Sequence, residues 1–403
     1  MESAEEPVAP VAADAEEPTK SKPKYKEYKT PQELLEHIPI GHPDSMMSKE
    51  SVRKAVEEFE TKPTDVIVAT FPKTGTTMIT WICHLMRTGA RPSRSLGNGD
   101  SLDDDEKGGT FETIYELVPW PTLSWDIGYD PNVQGSEFHP RVFKSHLRMA
   151  SIYPGCKYVV TIRDPAWTTL SFYNSFIAKK VPFLVSNNKF FPLMDVSTFL
   201  MDTPFVKGNY PERASIWEYY AEYHALLECP SVLMIIYEDF VADKHAHIRT
   251  LARFLDIPER NYDQFNSDYD SDDCFDLIER TRIYSSKQFM ARHMSKFDEP
   301  YERAKSLNRA ADISQLAPGA KVVLEYSYHQ HERFDDRAIQ FLEDQWKATM
   351  CREPLGYEDY EDFCCAVRAR NERWFGESDS VTGKRKKSEW TKWNEKMKTN
   401  GTE

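Results

Sequence analysis

Lys73, Thr74, Gly75, Thr76 and Thr77 stand between an apolar, β-branched run (Val66, Ile67, Val68) and an amphipathic stretch (Ile79, Trp81, Ile82, Leu85, Met86). A strand, a short polar loop and a helix in that order aim free backbone N–H groups at an anion. Lys73 adds a point charge, and the threonines add hydroxyl donors. A phosphate, or a group shaped like one, suits this loop. A nucleotide-hydrolysing loop of the GxxxxGK[ST] type needs its lysine after the second glycine; here Lys73 precedes Gly75. A P-loop-type nucleotide kinase or NTPase stays open as the alternative, since Glu238-Asp239 follows an apolar run where a magnesium-binding carboxylate can stand. A plain strand-to-helix turn capped by Thr76 or Thr77 is the other alternative.

Two further groups carry chemistry. Arg163 follows the apolar run Lys157-Tyr-Val-Val-Thr-Ile162, and Ser171 lies eight residues on. An arginine at the carboxyl edge of a strand can grip a phosphate through its planar fork, with the serine from a second side; a surface Arg163–Asp164 ion pair is the plainer option. Lys144-Ser-His146 ends the run Arg141-Val-Phe-Lys-Ser145. A histidine beside a lysine is a candidate general base, because a nearby cation favours its neutral form. A structural histidine fits the same letters.

The elements that must position these groups alternate. Strands are expected at Val66–Val68, 141–145, 157–162 and Val232–Tyr237, and helices at about 166–180, 213–228 and 244–255. Short buried strands separated by helices predict an α/β fold, a single domain whose central parallel sheet is flanked by helices. Residues 1–30, poor in large aliphatics, read as a disordered leader, 31–365 as the domain, and 366–403 as a charged helical tail that contains Lys384-Arg-Lys-Lys387. Residues 97–109, rich in Gly and Asp, read as an exposed loop, with a lid as the sharper option.

The net charge of −14 speaks against non-specific binding to nucleic acid or to an anionic membrane. The basic groups of an anion site must therefore be gathered locally. Seven cysteines, odd in number and with no CxxC pair, predict neither a disulfide framework nor a zinc site. The first residues lack the basic and apolar regions of a signal peptide, and no run reaches the roughly 18 apolar residues of a membrane span. The expectation is a soluble chain of the cytoplasm.

Taken together, Phe71-Pro-Lys-Thr-Gly-Thr-Thr77, Lys144-Ser-His146, and Arg163 with Ser171 resemble, in order and spacing, the cytosolic sulfotransferases that use 3′-phosphoadenosine 5′-phosphosulfate (PAPS). Phe111-Glu-Thr-Ile-Tyr-Glu-Leu-Val-Pro-Trp120 and Tyr237-Glu-Asp239 are similar as well. The resemblance implies a P-loop-like sulfotransferase fold. It also implies transfer of a sulfuryl group from PAPS to a hydroxyl or amine of a small-molecule acceptor, with His146 as base and no metal. Lys73 and Lys144 would stabilise charge on the transferring group. Lys73, Thr74, Gly75, Thr76, Thr77 and Met78 would hold the 5′-phosphosulfate side, Arg163 and Ser171 the 3′-phosphate. Trp217 and Ser285 match residues near the nucleotide, with core packing the alternative for Trp217. Met78 replaces a usual tryptophan, Lys287 a usual phenylalanine, and no Arg-Lys-Gly triplet stands between 300 and 325, where Ala317-Pro-Gly-Ala-Lys321 is the nearest match. Phe172, Tyr173, Phe176, Phe183, Phe190 and Phe191 are candidates for an apolar acceptor pocket, or for core. The oligomeric state is not readable.

Overall fold

Residues 47–90, 111–134, 138–149, 152–174, 194–208, 214–257, 277–297 and 334–375 are described by the structure, a computed structural model. Within them the chain runs α1 (Lys49–Glu57), β1 (Val66–Ala69), α2 (Thr76–Arg87), α3 (Ile114–Leu117), α4 (Pro121–Ser124), β2 (Val142–Ser145) and β3 (Lys157–Ile162). It continues through α5 (Pro165–Tyr173), α6 (Val196–Asp202), α7 (Pro204–Lys207), α8 (Ile216–His224), β4 (Val232–Ile236), α9 (Tyr237–Ala242) and α10 (Lys244–Phe254). The last elements are α11 (Leu277–Tyr284), α12 (Lys287–Arg292), α13 (Asp336–Thr349) and α14 (Tyr360–Phe375). The loop expected at 97–109, the leader, Phe176, Phe183, Phe190, Phe191, residues 317–321 and the basic tail lie outside the described residues.

The strands pair in the order β2-β1-β3-β4, and every pairing is parallel. The fold is therefore α/β, with a central parallel sheet between helices. Successive side chains of a strand point to opposite faces, and here both faces are buried. Ile67, Phe143, Tyr158, Val160, Met234 and Ile236 join a cluster with α5, α6, α8, α13 and α14. Val66, Val68, Val142, Val159, Leu233 and Ile235 join another with α2, α10 and α11. That double coverage is why the strands read as continuous apolar runs rather than as alternation. β3 occupies the expected residues, and β4 stops one short of the expected Tyr237, which opens α9.

Local chemistry sets the helix starts. Asp164 caps α5 by accepting from Ala166 N and Trp167 N at 2.8 and 3.1 Å, and Pro165 takes the first helical position, where its missing N–H costs nothing. Ser215 and Glu218 form a capping box at the start of α8. At the amino ends of the strands, Arg141 grips buried Asp65 with two bonds of 2.9 and 2.5 Å and donates to Glu60 O, tying β1 to β2. Helix α14 runs unbroken through the expected boundary at 365 and buries Val367, Arg370 and Phe375. Arg370 donates to Leu227 O, Cys229 O and Val232 O, and Asn371 Nδ2 to Met234 O at 2.6 Å. These bonds cover two carbonyls of β4, one of the two outer strands of the described sheet, and two of the segment leading into it. Cys83, Cys156, Cys229, Cys351, Cys364 and Cys365 are free thiols. No helix among the described residues is long and apolar enough to cross a membrane.

Candidate active site

The carboxyl ends of β1, β2 and β3 lie side by side, with Ala69 opposite Ser145 and Val68 opposite both Lys144 and Val159. Residues just beyond those ends must share one rim, and the Lys73 loop, His146 and Arg163 do. The loop leads into α2 through Gly75, whose φ of +108° is open to glycine and strained for other residues. A Cβ there would also stand 2.7 Å from the Tyr237 ring. Lys73 takes the left-handed region too, at φ +71°, a conformation that costs a lysine of the order of 1–3 kcal/mol and persists only where its surroundings enforce it. One such restraint is visible: Arg163 Nη1 donates to Lys73 O at 2.8 Å.

No side chain caps α2, so the expected capping role of Thr76 or Thr77 is not taken. The threonine hydroxyls brace the loop instead. Thr74 Oγ1 donates to Phe71 O (2.7 Å) and pairs with Thr161 Oγ1 (2.5 Å), while Thr76 Oγ1 pairs with Thr70 Oγ1 (2.5 Å). Both residues are buried. What the loop offers outward is the backbone of the first turn of α2, with Thr77 and Met78 half-buried on it.

His146 Nδ1 lies 2.8 Å from Thr70 O. A carbonyl can only accept, so Nδ1 carries the proton of this bond, and in the neutral ring the lone pair falls on Nε2. Tyr219 Oη donates to His146 O (2.8 Å), and Trp120 stands edge-on to the imidazole at 5.0 Å. Lys144 is buried; its Nζ donates to Tyr115 Oη (3.2 Å) and lies 4.0 Å from the centre of the Trp120 ring. The Trp120 indole N–H is buried and has no hydrogen-bond acceptor among the described residues. Trp120 thus lies against both the Lys144 ammonium and the His146 ring.

Arg163 is buried with its guanidinium 4.2 Å above the Tyr237 ring. Its backbone is held by Tyr220, whose hydroxyl accepts from Arg163 N (2.9 Å) and donates to Arg163 O. Burial drives the Tyr220 hydroxyl well above its ordinary pKa, so it stays protonated for that role. Ser171 is buried on α5, less than two turns past the cap. Ser285 closes α11, where Lys244 Nζ donates to its carbonyl (2.6 Å), and Trp81 Nε1 of α2 donates to the adjacent Tyr284 O (2.9 Å). Trp217 is fully buried, edge-on to Phe341 of α13. Phe172 is core as well. The carboxylates considered for magnesium are engaged by protein, Glu238 by Asp164 N and Tyr360, Asp239 by both arms of Arg368.

Sequence reasoning missed Thr70, Tyr220 and the seat that Tyr115 and Trp120 make for Lys144. The aromatic density of Ile216-Trp-Glu-Tyr-Tyr220 was the available signal for the clamp.

Residues 63–305, well over half of the chain, match the sulfotransferase domain. The chain belongs to that family. This sulfotransferase-domain chain is 26% identical over 218 residues to Sulfotransferase 2A1 of Rattus norvegicus, covering 52% of itself and 65% of the relative. It is 28% identical to Sulfotransferase 1 family member D1 of the same species, covering 51% and 63%. It is 27% identical to Cytosolic sulfotransferase 7 of Arabidopsis thaliana, covering 50% and 58%. The chain thus spans a little under two thirds of these relatives. Among solved structures, mouse sulfotransferase SULT7A1 complexed with PAP aligns at 15% identity and a TM-score of 0.48, over 81% of this chain and 95% of that one. Retinol dehydratase with retinol and PAP aligns at 17% and 0.48, over 76% and 89%.

Proposed function

We propose that this protein transfers a sulfuryl group from PAPS to a hydroxyl or amine of a small acceptor, in the cytoplasm, with His146 as general base. The observation that carries the reading is the convergence of Lys73, Lys144, Arg163 and His146 on the rim of β1–β3, around the start of a helix that no side chain caps. Backbone N–H groups of that first turn suit the 5′ phosphosulfate, and the bracing of Thr74 and Thr76 supports an amide cradle rather than a hydroxyl one. Gly75 fits the turn into that cradle because its φ is positive and a Cβ would press on the Tyr237 ring. Arg163, with Ser171 on the next helix, suits the 3′-phosphate, since a guanidinium pairs with two phosphate oxygens at once.

PAPS, as substrate, supplies an activated sulfuryl group. The chain's own residues do the rest. Thr70 O keeps the proton on Nδ1, so Nε2 accepts the acceptor's proton. Lys144, resting on two rings, and Lys73, on the strained loop, stabilise the charge that builds during transfer, worth about 3 kcal/mol for one well-placed donor. Trp120 walls the acceptor side, and its unmatched N–H suits an acceptor oxygen.

The test is transfer of labelled sulfate from PAPS to a panel of phenols, alcohols and amines, with and without His146→Ala. The expected result is transfer by the native chain and little by the variant. Equal transfer by both rejects His146 as base, and no transfer or PAPS binding by the native chain rejects the reading.

A further inference from the structure

Helix α14 lies beyond residue 305, where the family match ends, yet it reaches the backbone that carries Arg163. Tyr360 Oη donates to Glu238 Oε2 at 2.8 Å, and Glu238 Oε1 accepts the N–H of Asp164 at 3.1 Å. That N–H belongs to the peptide joining Arg163 to Asp164, and Asp164 caps α5, the helix of Ser171. A second route runs through rings. Tyr360 and Phe363 lie 6.5 and 5.9 Å from Tyr220, the residue whose hydroxyl holds both backbone groups of Arg163. Arg368 pins Asp239, next to Glu238, with bonds of 2.7 and 2.9 Å.

We propose that α14 is a positioning element for anion recognition, in which Tyr360 acts through Glu238 to fix the Arg163–Asp164 peptide and so aims Arg163 at a phosphate on the 3′ side of the nucleotide. The inference rests on the reading of the site given above. Glu238 is largely buried, and burial raises its pKa, while the Asp164 N–H and the Tyr360 hydroxyl pull the other way. Removing the hydroxyl takes away one of the two donors that hold the carboxylate in place. The Asp164 N–H then loses a fixed acceptor, and the arginine its aim. This chain of bonds meets the 5′ side of the site where Arg163 Nη1 donates to Lys73 O, and it makes no use of the N–H groups in the first turn of α2.

The experiment measures binding of adenosine 3′,5′-bisphosphate and of adenosine 5′-phosphate to the full chain by calorimetry. The native chain is expected to favour the bisphosphate. In Tyr360→Phe the bisphosphate affinity is expected to fall about tenfold, the scale of one hydrogen bond to a charged group, while that for the monophosphate changes less than about twofold. Glu238→Gln, which keeps the side chain's shape and one carbonyl acceptor, gives an independent second reading, with the same selective loss expected. Equal losses for both nucleotides mean general loosening and overturn the proposal, as does unchanged selectivity in both variants. A native chain that does not prefer the bisphosphate overturns the 3′-phosphate reading itself, and α14 with it.

Discussion

At the amino ends of β1 and β2 a buried cation meets a buried anion: Arg141 grips Asp65 with two bonds. At the carboxyl ends of the same strands, Lys144 rests on the Tyr115 and Trp120 rings and Arg163 on the Tyr237 ring, with a backbone carbonyl as its acceptor. The first arrangement consumes its charges inside the fold, and removing one partner strands the other in a medium that cannot solvate it. In the second, ring faces that carry no net charge seat the cations, which suits the anionic substrate proposed above. One end of the sheet is built to hold; the other, on the proposed reading, to receive.

That contrast can be broken by substitution. His146→Ala is expected to lower the rate of sulfate transfer on the order of 10²–10⁴-fold, with little change in the thermal midpoint; a large loss of stability would put the histidine on the holding side. Asp65→Ala is expected to do the reverse, costing about 3–5 kcal/mol in denaturant unfolding as Arg141 loses its buried partner. The folded fraction should keep its turnover, and a variant equally stable but slow would erase the distinction. Gly75→Ala falls between the two. It forces an alanine to positive φ against the Tyr237 ring, so about 1–3 kcal/mol of strain is expected, together with weaker binding of adenosine 3′,5′-bisphosphate; calorimetry and a melting curve on one sample separate the two effects.

Lys244 sharpens the comparison with the smallest effect. Its ammonium donates to a carbonyl, and burial, aided by Arg282, pulls its pKa from 10.5 down to about 8. Between those two values the unfolded chain holds the proton that the folded chain has released, so this group's contribution to stability rises with pH across that window. Below it, the fold carries the charge at a cost. Lys244→Met is therefore expected to be stabilised relative to the native chain at about pH 7, with the advantage shrinking towards about pH 10. A difference that is flat with pH would show that the carbonyl compensates the ammonium as well as Asp65 compensates Arg141.

The strands were legible because burial on both faces makes them uninterrupted apolar runs: Lys157–Ile162 reads the same in the letters and in the fold. The rim positions of Lys73 and Arg163 were legible too, since each lies just beyond such a run. Contacts between distant elements were hidden. Nothing in the composition of 360–375 marks Arg370 and Asn371 as bonded to strand carbonyls, so a packed helix looked partly like a charged tail. Hydroxyl types at 74 and 76 are visible in sequence, while the partner of Thr74, Thr161, is fixed only once β1 and β3 pair, and that of Thr76, Thr70, once the loop folds back on its strand.

The bond that orients His146 ends on a main-chain oxygen of Thr70, not on a side chain. A point mutation at position 70 exchanges a hydroxyl for something else and leaves that oxygen where the strand puts it. The tautomer of the imidazole is thereby shielded from single-codon change. Substitution can reshape every wall around this histidine while the orientation of its ring stays with the backbone of the sheet.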